Sequence, residues 1–178
     1  AKGSIPETHP LSIGVIGARG GTTLSNGVVV GADLILFIGC NTDSASTAKW
    51  TIPPIDTTAK IIHIDISEAE VGNNYPTDVI LLGDAKATLR KMIDISPGKS
   101  DPENASRLET IKKATESYNL QISELSATDE TPVHPLRFVK ELTGAIPEEY
   151  VMVVDVGVSA IYTSTFFKVR KAGRSMLY

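Results

Sequence analysis

Cysteine is almost absent: the chain of 178 residues holds one, Cys40. A single thiol excludes an internal disulfide framework and suits a reducing compartment, so the cytoplasm is the expected location. Histidine is scarce too. His9, His63 and His134 stand at no metal-ligand spacing, and with one cysteine beside them they argue against a zinc site. Basic charge is in short supply. Lys and Arg number 17 against 21 Asp and Glu, giving a net charge of −4. That balance argues against nucleic-acid and membrane-surface partners, because both select a basic face. The run Lys168, Arg170, Lys171, Arg174 is a local exception and reads as solvated surface. No apolar stretch approaches the ~20 residues that span a bilayer. Internal repeats and low-complexity tracts are missing as well.

What is present is a succession of short apolar runs separated by glycine, proline and acidic turns. With 42% hydrophobic residues the chain can bury one sizeable core or two small ones. Residues 3–11 read as ordered loop and lead into the glycine-dense turn Ile13 to Gly21, after which Thr22 or Thr23 caps a short apolar helix ending near Gly31. Strands follow at 32–38, 60–65 and 78–82. Ser67-Glu68-Ala69-Glu70 has the form of a capping box and predicts a helical turn closed by Gly72. Asp84 is placed to cap a helix running to about Ile93, with Leu89, Met92 and Ile93 as its inner stripe. Residues 96–102 are a linker by composition. Leu108, Ile111, Thr115, Tyr118, Ile122 and Leu125 then mark one face of an amphipathic helix. A second linker spans 127–132, and a helix over 134–142 carries Pro135 in its first turn. A strand at 150–154, apolar throughout and so expected to be buried on both faces, precedes Asp155-Val156-Gly157, an apolar helical run and a further strand at 175–178. Strands alternating with helices predict an α/β fold with a Rossmann-like, doubly wound parallel sheet in residues 1–95, a linker with an amphipathic helix over 96–130, and an incomplete α/β segment over 131–178.

Candidate sites fall where strands end. The glycines at 14, 17, 20 and 21 are spaced differently from the dinucleotide fingerprint. Gly17, Gly20 and Gly21 fit either close backbone approach to a phosphate or a tight loop that needs φ > 0. Asp65 closes a strand where Rossmann-type folds place a ribose-binding acid, and it equally suits a cap on the next turn. Gly39 and Asp84 lie at two further strand ends, with Asp84 also explained as a helix cap. Cys40 shows no neighbouring base and reads as a small packed or merely exposed residue. His63, flanked by isoleucines, reads as a buried, hydrogen-bonded ring. Asp155 and Gly157 form the turn best placed to face a ligand, Gly157 allowing backbone approach to a phosphate at a helix start.

Taken in order, several segments resemble the thiamine diphosphate-dependent enzymes of the acetolactate synthase, pyruvate oxidase and 2-keto-acid decarboxylase type. Lys2-Gly3-Ser4-Ile5-Pro6-Glu7-Thr8-His9-Pro10 with Gly14 and Gly17 looks like the entry to that family's central domain. Ala32 to Leu36 with Gly39, Lys60 to Ile66, Ala69 to Gly72 and Gly83-Asp84 continue it, and residues 150–174 resemble the opening of the diphosphate-binding domain. The resemblance implies a parent enzyme acting on a 2-keto acid through thiamine diphosphate and Mg²⁺, with the metal ligands and the activating glutamate outside this chain. It further implies no catalytic residue and no metal ligand within it. The chain is expected to be a fragment lacking the first βαβ unit of its central domain, inactive alone. Its expected partners are the rest of the parent enzyme, a small-molecule substrate and further copies of itself, because a truncated sheet exposes an edge. Gly39-Cys40-Asn41 stands where flavin-binding relatives carry Gly-Ala-Arg, which counts against FAD. Val158-Ser159 replaces the Gln-His of acetolactate synthases. The rival expectations are a freestanding adenine-nucleotide- or CoA-binding module and a purely structural domain that packs subunits.

Overall fold

The computed structural model describes residues 2–96, 98, 102–173 and 176–177. Pro97, Lys99, Ser100 and Asp101 of the first linker, Arg174 of the basic run, and Ser175 and Tyr178 of the last expected strand lie outside the described residues.

Helix α1 (Thr23–Val30) begins at Thr22, whose hydroxyl accepts the Ser25 N–H at 3.0 Å while Ser25 Oγ accepts the Thr22 N–H at 2.9 Å. This reciprocal pair satisfies two donors that helix geometry leaves unpaired. Strands β1 (Leu34–Ile38), β2 (Lys60–Asp65) and β3 (Val79–Leu82) then form a parallel sheet in the order β1-β2-β3. This is the expected Rossmann-like α/β arrangement, with helices flanking a parallel sheet. The crossovers are a departure: residues 39–59 and 66–78 carry turns and loops rather than helices. Pro53, Pro54 and four non-glycine residues at positive φ (Thr42, Ala48, Lys49, Trp50) account for the first of them.

Ile61 and Ile64 of β2 are 2% and 0% exposed, each burial contributing about 1.5–3 kcal/mol. Phe37, Ile61 and Tyr75 form one core cluster, with the Tyr75 hydroxyl donating to the Pro53 carbonyl at 2.9 Å. The outer strands are barer. Leu34, Val79, Ile80 and Leu82 are exposed.

Helix α2 (Ala85–Ile95) starts at Asp84 as expected, but its inner stripe is only partly covered: Leu89 and Met92 are half-buried and Ile93 is 63% exposed. Helix α3 (Pro102–Leu125) follows the predicted periodicity in its middle, with Ile111, Thr115, Tyr118 and Ile122 half-buried, while Leu108 and Leu125 at the ends of the predicted face are exposed. Helix α4 (Pro135–Ala145) is capped by His134, whose Nδ1 accepts the Leu136 N–H at 3.2 Å. Strand β4 (Met152–Val153) pairs in parallel with β5 (Met176–Leu177), and helix α5 (Val158–Phe166) lies between them in sequence. A second core cluster joins Val139, Met152, Val154, Phe167 and Val169.

Residues 3–7 pack against residues 169–173. Glu7 exchanges backbone and side-chain bonds with Val169: its N–H donates to the Val169 carbonyl at 2.7 Å and its Oε2 accepts the Val169 N–H at 2.9 Å. The same oxygen takes Lys2 Nζ at 2.5 Å, both side chains being under 10% exposed. Further along, Gly173 N–H donates to the Gly3 carbonyl at 3.0 Å.

Candidate functional site

The parallel register brings three predicted positions to one edge of the sheet. Gly39 N–H donates to the Ile64 carbonyl at 2.9 Å and Gly83 N–H to the Asp65 carbonyl at 2.8 Å, so the ladder runs one residue past each strand. Gly39, Asp65 and Asp84 therefore share the carboxyl edge, where open α/β sheets gather ligands. Gly39 holds φ 55° with open space beside its Cα. The Asp65 carboxylate is 9% exposed and accepts the Ser67 N–H at 2.9 Å, which makes it the cap of the next turn. That turn closes without becoming a helix. Residues 69–72 form turns only, and Gly72, at φ 72°, donates its N–H to His63 Nδ1 at 3.3 Å. His63 is 2% exposed, and its Nε2 faces the Cys40 carbonyl at 2.9 Å. A ring between a carbonyl and an N–H donates from Nε2 and accepts at Nδ1, so it is a neutral structural link. Asp84 is exposed and accepts the Ala87 N–H at 2.8 Å, the ordinary work of an N-cap.

The glycine loop is packed against protein. A Cβ at Gly17 would run into the carbonyl of Ser46, and Gly17 sits at φ 91°. Asn26 holds the same residue from the other side, its Oδ1 accepting the Gly17 N–H at 2.9 Å. At Gly21 a Cβ would meet the Gly17 backbone and Asn26 Oδ1, and at Gly20 it would lie 2.7 Å from Ser164 Oγ. The requirement for glycine at all three positions is met by internal packing. Ala18 N–H also donates to the Ala45 carbonyl at 3.1 Å, seating the loop on the segment that follows β1. Asp43 anchors that segment. Its carboxyl accepts the Ser46 and Ala45 N–H groups at 2.7 and 3.0 Å, and the Ser46 bonds hold it below the ordinary carboxylate range.

The turn after β4 is the open one. Gly157 adopts φ 134° with nothing near its Cα, and it starts α5 without a side-chain cap. Asp155 and Val156 are exposed, with Asp155 Oδ1 accepting the Val156 N–H at 2.7 Å. Burial on both faces of β4 is overturned: Met152 and Val154 are 9% exposed, whereas Val151 and Val153 are 67% and 74% exposed. Only the face toward α4 and α5 is packed. The basic run is partly tied down, since Arg170 donates to the Ile146 and Pro147 carbonyls and Lys171 pairs with Glu149 at 3.0 Å.

Concavities occur elsewhere. One of about 250 Å³ lies among Ile122, Ser126, Leu136, Val139, Lys140 and Phe166, and one of about 290 Å³ opens at the amino end of the sheet around Thr57, Thr58, Lys60 and Asp78. Lys60 pairs there with Asp78 at 2.8 Å. Among the described residues no group of three His, Cys, Asp or Glu side chains could hold a metal ion, and no helix is long and apolar enough to cross a membrane.

Two features escaped the sequence reading. The buried Lys2–Glu7 pair shows no local signal, because Glu7's other partner is 162 residues away. The left-handed turn at Ala48-Lys49-Trp50 also gives no warning, since none of these residues favours that region.

A family model described as the thiamine pyrophosphate enzyme central domain matches residues 1–92. The chain is 35% identical, over 94% of its length, to a probable acetolactate synthase large subunit of Methanococcus aeolicus, and 35% identical over 99% to one of Methanocaldococcus jannaschii. It is 31% identical over 88% to the acetolactate synthase large subunit of Parasynechococcus marenigrum. It spans 29%, 29% and 24% of the lengths of these three relatives. With just over half of its residues matched by that model, the chain belongs to the thiamine pyrophosphate enzyme family.

Proposed function

We propose that residues 1–95 are the central domain, 96–130 a helical linker and 131–178 the start of the diphosphate-binding domain of an enzyme acting on a 2-keto acid in the manner of acetolactate synthase. The observation that carries this reading is the similarity to acetolactate synthase large subunits running through 94% of the chain, well past the central-domain match at residue 92. Bound thiamine diphosphate would supply an electron sink for the carbanion left when a 2-keto acid loses CO₂. The chain's own part is to position. The open, uncapped turn at Gly157 fits the approach of a diphosphate to free backbone donors at the start of α5. Asp155 stands beside it, and Mg²⁺ would offset the repulsion between that carboxylate and the diphosphate. Most metal ligands belong to the remainder of the parent enzyme, in the cytoplasm and in an oligomer.

A second reading concerns the carboxyl edge. Gly39, with open space at its Cα, and the adjoining Asp65 would suit an adenine nucleotide or CoA. Isothermal calorimetry separates the two. Thiamine diphosphate with Mg²⁺ should bind the full-length parent and leave these 178 residues without micromolar affinity. Micromolar binding by the isolated chain would refute that division of ligands. A thermal shift with FAD, ADP or CoA would favour the carboxyl edge, since ligand at 100 times its Kd adds about 2.7 kcal/mol.

A further inference from the structure

We infer that Gly20 is a positioning residue, acting as a rigid stop for α5 and so setting where the Asp155–Gly157 turn lies. The inference rests on the reading of that turn as cofactor-facing. Gly20 is buried at φ 108°, and a Cβ on it would lie 2.7 Å from Ser164 Oγ, 3.3 Å from Thr165 Oγ1 and 3.4 Å from Ser164 Cβ. The glycine loop thus touches α5 directly. Both hydroxyls on the contacting face are folded back onto their own helix, donating to the Ile161 carbonyl at 2.9 and 2.8 Å. The contact is therefore one of shape: an added carbon would displace the Ser164 hydroxyl from its bond to Ile161 and crowd Thr165 Oγ1.

The stop is firm because the loop behind it is held at several points. Asn26 clasps Gly17, Ser25 Oγ donates to the Val15 carbonyl at 2.6 Å, and Ala18 bonds to Ala45. The other end of α5 is fixed by Phe167, 0% exposed in the second core cluster. Ala160, Tyr162 and Phe166 pack on the same cluster, so α5 shifts as a unit and a push at Ser164 is carried along the helix to Gly157. A glycine that resembles a phosphate-loop residue would then serve the cofactor without touching it.

Amide hydrogen exchange on the 178-residue chain tests this in wild type, Gly20→Ala, Ser164→Ala and the double variant. Gly20→Ala should speed exchange at residues 161–165, whose N–H groups close the first turns of α5, by about tenfold, Ser164→Ala should leave it unchanged, and the double variant should return it toward wild type. Restoration is the informative result. The strain at positive φ persists in the double variant, so recovery isolates the collision with Ser164. Should Gly20→Ala fail to fold, Ser164→Val adds bulk from the helix side with Gly20 intact and must raise exchange in the same segment. Unchanged exchange in Gly20→Ala, no recovery in the double variant, or a silent Ser164→Val overturns the assignment. In the full-length parent, thiamine diphosphate affinity should fall and recover in parallel. If the wild-type parent binds none, the cofactor reading fails, while the exchange data still decide the role of Gly20.

Discussion

Lys2 and Glu7 show how much two side chains can carry. Burial lowers the Lys2 pKa from its ordinary value, and the hydrogen bond and charge of Glu7 oppose this without cancelling it. A lysine whose folded pKa lies below its unfolded one burdens the native state while protonated. Stability should therefore rise with pH through the window from that lowered value up to 10.5, and Lys2→Met should lose this slope in urea titrations at several pH values. At neutral pH Lys2→Met strands the Glu7 carboxylate and should cost about 3–5 kcal/mol. Adding Glu7→Gln should recover most of that, because a glutamine oxygen can still accept the Val169 N–H. Lys49 offers the opposite sign. It is exposed, lacks glycine's freedom, and sits at φ 59°. Lys49→Gly should gain about 1 kcal/mol in chemical denaturation by removing strain in the left-handed region.

Among the elements, caps and strands were the most legible. The run from Lys60 to Asp65 matches β2 residue for residue, and the Asp84 and Thr22 caps fall where side-chain chemistry places them. Asp84→Ala should cost about 1 kcal/mol, measurable as a lower melting temperature, because the Ala87 N–H loses its acceptor. The predicted stripe of α2 and the doubly covered β4 were misread for a shared reason. Apolar character says which surface a residue suits, whereas exposure depends on what lies against it. Ile93 and Val153 are apolar with little packed on them. The glycine loop was legible as a place where backbone must come close, but the sequence left open what comes close. Ser46, Asn26 and Ser164 fill that role, and they lie far from the loop or on other elements. Asp65 and Asp155 were visible as strand-end acids because strand and turn signals are local.

At the scale of the whole molecule, two core clusters each include strand residues of a different sheet, and the two halves are joined by α3, by the Gly20 contact and by the pairing of residues 3–7 with 169–173. The three-stranded sheet presents Val79, Ile80 and Leu82 on an outer strand, and strands of that kind recruit other chains. Light scattering should therefore show concentration-dependent association, and Ile80→Lys should suppress it. A monomer at every concentration would contradict this expectation. The pairing of Glu7 with Val169 also sets a timetable for synthesis. Glu7 leaves the ribosome 162 residues before the amide it must meet. At roughly 5–20 residues per second, that amounts to a wait of roughly 8–32 s. Over that interval Glu7 lacks the Val169 amide, so the burial of the Lys2–Glu7 pair waits until residue 169 has been made.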